Sequence, residues 1–299
     1  MTENLKALVI GHGSIGSRHG EVLTGLGIDV QIVSRRPGIG KFKTITEAIG
    51  ESETDYVVIA TETEHHLQAL AELVDTGYQG RVLVEKPYAS ISTKAPEHEF
   101  RSLGVAYHLR FHPAVGAFRD ALAGETVLSA HVRVGSYLPS WRSGRDYRQT
   151  ASASEGGGVL LDLSHELDLV YWLLGPGKVH YGATFRSGSL EILNEDLAIA
   201  VILIGEGAPV CIEMSYLDRK PVRTFSVVTK NSTICLDLIA GICEINNVSV
   251  HGEDVGHNDA YTAMHQGTLV DDPRVCGIQE ALQVLEWVET IKTGTDLRV

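Results

Sequence analysis

The sequence predicts an α/β chain in two parts: a doubly wound parallel sheet over residues 1–123, then an α+β domain with a large, mainly antiparallel sheet over residues 124–299. Three observations carry this. Short runs rich in Val and Ile, spaced by helix-length stretches, fill the first part, which is the βαβ pattern of buried parallel strands. Beyond Gly124 the strand-like stretches lengthen and no longer alternate with helices, as in an α+β domain. A chain of 299 residues is long enough to build two cores.

Taken in order, Leu5 to Ile10 and Ile28 to Val33 read as the first two strands, with a helix over Ser17 to Leu26 between them. Tyr56 to Ala60 and Arg81 to Glu85 follow, joined by a helix over His66 to Thr76, and Val105 to Leu109 closes the series. A helix over Pro113 to Leu122 leads into the second part. There, Val127 to Tyr137, Leu197 to Ile204, Val210 to Tyr216, Thr224 to Thr229 and Thr233 to Leu238 are the expected strands. Leu160 to Leu174 is the strongest helix, and an amphipathic one over Gln279 to Lys292 ends the pattern.

The net charge of −13 is spread along the chain, which disfavours a nucleic-acid partner and leaves a small molecule as the expected ligand. No apolar run reaches membrane-spanning length, and the first is too short for a signal peptide. Cys211, Cys235, Cys243 and Cys276 form no CxxC pair, so they read as reduced core residues of a cytoplasmic protein. His65 and His66 are adjacent and diverge, with no third ligand in sight, so no metal is expected. His251 and His257, in a Gly- and Asp-containing loop, are assigned no role.

Gly11-His12-Gly13-Ser14-Ile15-Gly16 sits between a predicted strand and a predicted helix. In that setting a G-x-G-x-x-G string is a dinucleotide-binding turn, because glycine lets backbone N–H groups approach a pyrophosphate at a helix N-terminus. The first part is therefore expected to be a Rossmann domain. Its second strand ends in Ser34-Arg35-Arg36, without the acid that would accept from an NAD ribose. A serine and two arginines suit a phosphate, so NADP is the expected preference, with NAD the alternative.

Glu85-Lys86-Pro87 ends a strand on the edge where open α/β sheets bind ligands. A lysine in a partly dry cleft can have its pKa lowered enough to exchange a proton with an alcohol. In the second part Gly156-Gly157-Gly158 leads into a leucine-rich helix. Its Asp162, His165, Glu166 and Asp168 share one arc, which is expected to face something wet.

Together, the glycine turn, Glu85-Lys86-Pro87 and GGGVLLDLSHELD resemble the glucose-fructose oxidoreductase and inositol dehydrogenase family, Gfo/Idh/MocA. The resemblance spans nearly the whole chain. It implies a Rossmann domain followed by a domain whose open sheet commonly makes homodimers or homotetramers. It also implies oxidation or reduction of a sugar, cyclitol or sugar nucleotide at a carbinol carbon. Carried over by position, Lys86 would be the acid/base or orienting lysine, and Asp162 and His165 would contact the reacting hydroxyl. Thr61, Thr63 and His66 match a loop that touches the cofactor, although Glu62 stands where many relatives have proline. His165 lies three residues after Asp162, where the commonest family pattern has four. Which of Asp162, His165 or Glu166 handles the proton therefore stays open, with His165 favoured by its ordinary pKa near 6.5.

On the substrate side, Arg133 to Arg148 holds four arginines and one aspartate, which suggests an anionic substrate. Tyr137, Trp141 and Tyr147 suit stacking on a sugar or base, and Arg142, Arg145 or Arg148 suits a phosphate or carboxylate. Arg110 is expected near the same substrate, at the end of its strand. Two rival functions are open: a non-enzymatic ligand sensor on the same fold, and a hydrolase that uses its dinucleotide for transient oxidation.

Overall fold

A computed structural model describes residues 5–294 apart from 143, 145, 151, 153–156, 253, 254 and 257. The chain forms two compact units, one of Met1–Phe111 with His257–Leu282 and one of His112–Gly256 with Gln283–Val299. The division falls before the helix that the sequence had placed at the end of the first domain. It also returns a late segment to the first unit.

In the first unit β1 (Lys6–Ile10), α1 (Ser14–Gly25), β2 (Asp29–Val33), α2 (Ile45–Glu51), β3 (Tyr56–Ile59), α3 (His66–Asp75), β4 (Arg81–Val84) and β5 (Ser102–Val105) follow one another. The strands pair in parallel in the order β5-β4-β3-β1-β2, so the order reverses between β1 and β3. That reversal is the switch point at which such sheets open a crevice beyond their C-terminal strand ends. Val57, Val58, Leu83 and Val84 are buried on both faces, which explains their unbroken apolar runs. The expected strand over Val105 to Leu109 stops at Val105, and His108–Phe111 coil into a short 3-10 turn instead.

The second unit begins with α4 (Pro113–Leu122) and β6 (Val127–Gly135), then a broken helix of α5 (Val159–Asp162) and α6 (Ser164–Leu174). Next come β7 (Gly177–Phe185), β8 (Leu197–Ile204), β9 (Ala208–Ser215), β10 (Val222–Thr229), β11 (Thr233–Asp237), β12 (Ile242–Ile245) and β13 (Val248–Gly252). They form an eight-stranded sheet ordered β13-β12-β11-β10-β6-β9-β8-β7, antiparallel except where β6 meets β9. Period-two alternation sends Ala198, Ala200, Ile202 and Ile204 of β8 into the core, while Ile199 stays exposed.

The chain then adds α7 (Asp259–Leu269) and β14 (Cys276–Gly277), which pairs antiparallel with β5. Tyr261 and Met264 of α7 join Ala7, Val9, Tyr56 and Val58 in one core cluster of the first unit. A last helix, α8 (Ile278–Thr293), has its first residues in the first unit and the rest in the second. Among the described residues no helix is long and apolar enough to cross a membrane, and no group of three or more His, Cys, Asp or Glu is placed to hold a metal ion.

Candidate active site

In the first unit the chain leaves β1 through Gly11, whose φ of +98° favours glycine and whose missing Cβ lets it lie against the Ala60 carbonyl and Thr61 nitrogen. Gly16 packs in the same way on the Gly11 carbonyl. Gly13 differs from both, since a Cβ built there would meet nothing within 4 Å. Among the described residues its smallness serves no packing, and it leaves backbone open for a ligand to approach. Ser14 is exposed at the start of α1, Ile15 packs on the core, and the N-cap Gly13 offers no side-chain cap to the first N–H groups. At the neighbouring strand end Thr61 Oγ1 is buried without a hydrogen-bond partner. An open glycine and an orphaned hydroxyl on either side of the switch point fit a dinucleotide phosphate and its flanking sugar.

The turn after β2 departs from expectation in one respect. Ser34 is buried and its hydroxyl accepts from the Arg36 N–H at 3.2 Å, so it shapes the turn, while Arg35 and Arg36 face solvent. Arg36 donates to the His12 carbonyl at 3.3 Å, which draws its charge toward the glycine turn. Lys43 holds the turn from inside, its ammonium donating to the carbonyls of Ser34, Arg36 and Ile39 at 3.2, 3.0 and 3.1 Å. That lysine was not singled out from the sequence.

Around Lys86 the first unit is tied down on both sides. Glu85, buried, accepts the Lys86 backbone N–H at 2.9 Å through Oε2 and receives His19 Nε2 at 2.8 Å on Oε1. Glu85 and His66, both expected at the cofactor site, have their side chains enclosed in protein. His66 sits with Nδ1 3.0 Å from the Pro87 carbonyl and Nε2 3.1 Å from the Thr61 carbonyl. Burial holds its pKa below the ordinary histidine value. It joins the loop after β3, where Thr63 is half-buried in a 3-10 turn, to the loop that carries Lys86. Lys86 itself is half-buried.

Arg110, expected near the substrate, is likewise enclosed. Its side chain is fully buried and pairs with Glu280 of α8 at 2.9 Å, both within the first unit. A guanidinium so enclosed is held by its carboxylate partner.

The second unit gathers polar groups around the break between α5 and α6. Gly158, with φ +115° and a Glu195 carboxylate where a Cβ would go, admits only glycine, and the Glu195 carbonyl accepts the Val159 N–H at 3.2 Å. Asp162, the last residue of α5, is half-buried and receives the Ser152 hydroxyl and, at 2.6 Å, the Tyr216 hydroxyl, both on Oδ2. Burial first, then the carboxylate beside it, pushes the Tyr216 pKa well above that of ordinary tyrosine, so the phenol stays a donor. His165, one turn on, is buried at 5% exposure. Beyond Asp162 the arc expected to be wet is dry: Glu166 and Asp168 are fully buried, and Glu166 accepts from Arg223 of β10 at 2.6 Å. Glu166 is thereby committed to an ion pair. Gly156, Arg145 and His257 lie outside the described residues.

The arginine-rich stretch proves to be largely neutralised. Arg148 pairs with Asp146 at 2.7 Å and Glu191 at 3.3 Å, and Arg133 with Asp218 at 2.7 Å and Glu213 at 3.0 Å. The Tyr147 hydroxyl accepts the Glu191 N–H at 3.1 Å, and Arg219 covers the Tyr137 ring at 3.5 Å. Arg142 remains exposed. Trp141 stands edge-on to Tyr216 with ring centroids 5.3 Å apart, so an aromatic wall adjoins the Asp162 cluster. Ser152, Tyr216 and Arg223 went unnoticed in the sequence as members of this site.

Comparison with known proteins gives a family match and several structural likenesses. Residues 123–235 match the family described as GFO/IDH/MocA C-terminal domain. The rhizopine catabolism protein MocA of Rhizobium meliloti is 28% identical over 155 residues, 48% of this chain and 45% of that protein, so the chain spans less than half of that curated relative's length. Among solved structures, GenD2 from gentamicin A biosynthesis, in complex with NAD, is 24% identical with a TM-score of 0.78, over 98% of this chain and 94% of that one. The WlbA dehydrogenase from Bordetella pertussis, in complex with NADH and UDP-GlcNAcA, is 19% identical with a TM-score of 0.77, over 97% of this chain and 95% of that one. The match over residues 123–235 and the likeness to MocA agree with the resemblance drawn from the three motifs.

Proposed function

We propose that the chain is an NAD(P)-dependent oxidoreductase acting on a carbinol or carbonyl carbon of a sugar, cyclitol or nucleotide-sugar derivative. The observation that carries the reading is the pairing of Gly13, open on its Cβ side, with the unpartnered Thr61 hydroxyl at the switch point of the first sheet. A bound nicotinamide supplies hydride acceptance or donation at its C4. The chain's own part is binding and proton handling. Lys86, fixed through the backbone bonds on either side of it, exchanges the alcohol proton. Asp162, with the Tyr216 and Ser152 hydroxyls on one oxygen, orients the substrate hydroxyl, and His165 is the second proton-handling candidate.

NADP is the proposed preference, supported by Arg35 and Arg36 facing solvent on a turn that Lys43 braces and that carries no acid. Since the related GenD2 and WlbA structures hold NAD and NADH, clearly better turnover with NAD would remove this part of the proposal. The proposal includes a homodimer or homotetramer formed through the open face of the larger sheet, where Ile199 and Val228 are exposed.

The test is a turnover screen with NADP(H) and NAD(H) over sugars, cyclitols, sugar phosphates and nucleotide sugars. Lys86→Ala is expected to lower kcat on any hit by about 10²-fold or more. Failure of the purified protein to take up either pyridine nucleotide would end the proposal.

A further inference from the structure

The Glu85 carboxylate terminates a buried chain of hydrogen bonds that the proposed reaction does not touch. His19 Nε2 lies 2.8 Å from Glu85 Oε1, His265 Nε2 lies 2.9 Å from His19 Nδ1, and the Tyr56 hydroxyl lies 2.9 Å from His265 Nδ1. His19 and His265 are completely buried, and Tyr56 and Glu85 nearly so. The four residues come from α1, α7, β3 and the end of β4, all within the first unit.

With each imidazole singly protonated, the order of protons along this chain is set from one end. A carboxylate only accepts, so a singly protonated His19 carries its proton on Nε2 and presents a lone pair at Nδ1. His265 must then donate from Nε2 and accept at Nδ1, where the Tyr56 O–H points in. Every ring nitrogen is satisfied with both imidazoles neutral. Burial, and after it the adjoining His19, hold the His265 pKa well below that of ordinary histidine, and burial keeps the Tyr56 phenol protonated. The second Glu85 oxygen is thereby left for the Lys86 N–H.

We propose that His265 is a positioning residue for Lys86: by donating to His19 it fixes the ring that holds Glu85, and Glu85 holds the Lys86 backbone. The inference rests on the reading of Lys86 as the proton-exchanging group. If the first link were lost, His19 would be free to change tautomer or turn, and the carboxylate would lose its fixed donor.

The experiment compares kcat, KM and dinucleotide Kd of the wild type, His265→Leu, His265→Gln and Lys86→Ala on a substrate from the screen. His265→Leu is expected to lower kcat about tenfold, the scale of one lost hydrogen bond, while KM and the dinucleotide Kd stay within about twofold. Glutamine can accept from Tyr56 and donate to His19, so His265→Gln is expected to recover most of the loss. Equal impairment by leucine and glutamine, which would mark a space-filling role, overturns the proposal, as does a wild-type kcat in His265→Leu alongside an impaired Lys86→Ala. Wild-type turnover in Lys86→Ala removes the lysine reading and this proposal with it. Nitrogen-15 NMR of the histidine rings in the unaltered protein, which depends on no variant folding and no turnover, should show His19 and His265 neutral with the proton on Nε2. A proton on Nδ1 of either ring, or a charged ring near neutral pH, overturns the proposal.

Discussion

Glu85 in the first unit and Asp162 in the second are both carboxylates at the end of a secondary-structure element, yet the fold treats them differently. Glu85 is 6% exposed and spends one oxygen on an imidazole and the other on a backbone N–H. Asp162 is half-buried, and the hydroxyls of Ser152 and Tyr216 both converge on its Oδ2. A carboxylate divided between two donors from the fold works as a bracket, and its value lies in what it holds still. One that keeps part of its surface accessible remains able to meet a ligand.

The contrast implies that carboxylates bound into the fold cost stability when released, whereas Asp162 costs turnover. The largest effect is expected at Glu166, the fully buried partner of Arg223. Arg223→Met should lower unfolding stability by about 3–5 kcal/mol in a denaturant titration, because it strands a buried charge. A change within experimental error would show that Glu166 is not held as a bracket. Asp162→Asn keeps the shape and the hydroxyl partners but removes the charge. Its kcat should fall about 10²-fold with little change in melting temperature, and a melting temperature that falls instead would place Asp162 with Glu85.

The smallest expected effect comes from the buried rings. His66 and His265 both have pKa values below the ordinary 6.5, with burial the first cause. The unfolded chain therefore takes up their protons first as pH falls. The stability they contribute is full above pH 6.5 and is lost progressively as pH drops from there toward their lower folded-state values. Melting temperature should decline by a few degrees between pH 6.5 and about pH 5, and His265→Gln should flatten part of that slope. An unaltered slope in that variant would mean that His265 is not buried neutral.

Much of the first unit was legible because its signals are local. The glycine turn, the strand runs and Glu85-Lys86-Pro87 each lie within a few residues of the structure they specify. Helix α2 was missed although Thr44 caps the Glu47 N–H at 3.1 Å, a sequence signature of a helix start. The imidazole chain was invisible for a different reason, since His19 and His265 are 246 residues apart. One trace was present: His19 shares the buried stripe of α1 with Gly16, Val22 and Leu23, an odd place for a polar residue. In the second unit, periodicity identified the polar arc of α6 but not its surroundings, because helical spacing cannot say whether a polar face meets water or an arginine from a distant strand. Tyr216 likewise read as the end of a strand, and only the fold brings its hydroxyl to Asp162.

Helix α7 carries a consequence for how the molecule is made. Tyr261 and Met264 complete a cluster whose other members lie before residue 112. On the ribosome the first unit therefore cannot close that part of its interior until the intervening unit has been synthesised. Its glycine turn is translated well before α7, so the strand beneath it gains its full packing only after the intervening unit has been made.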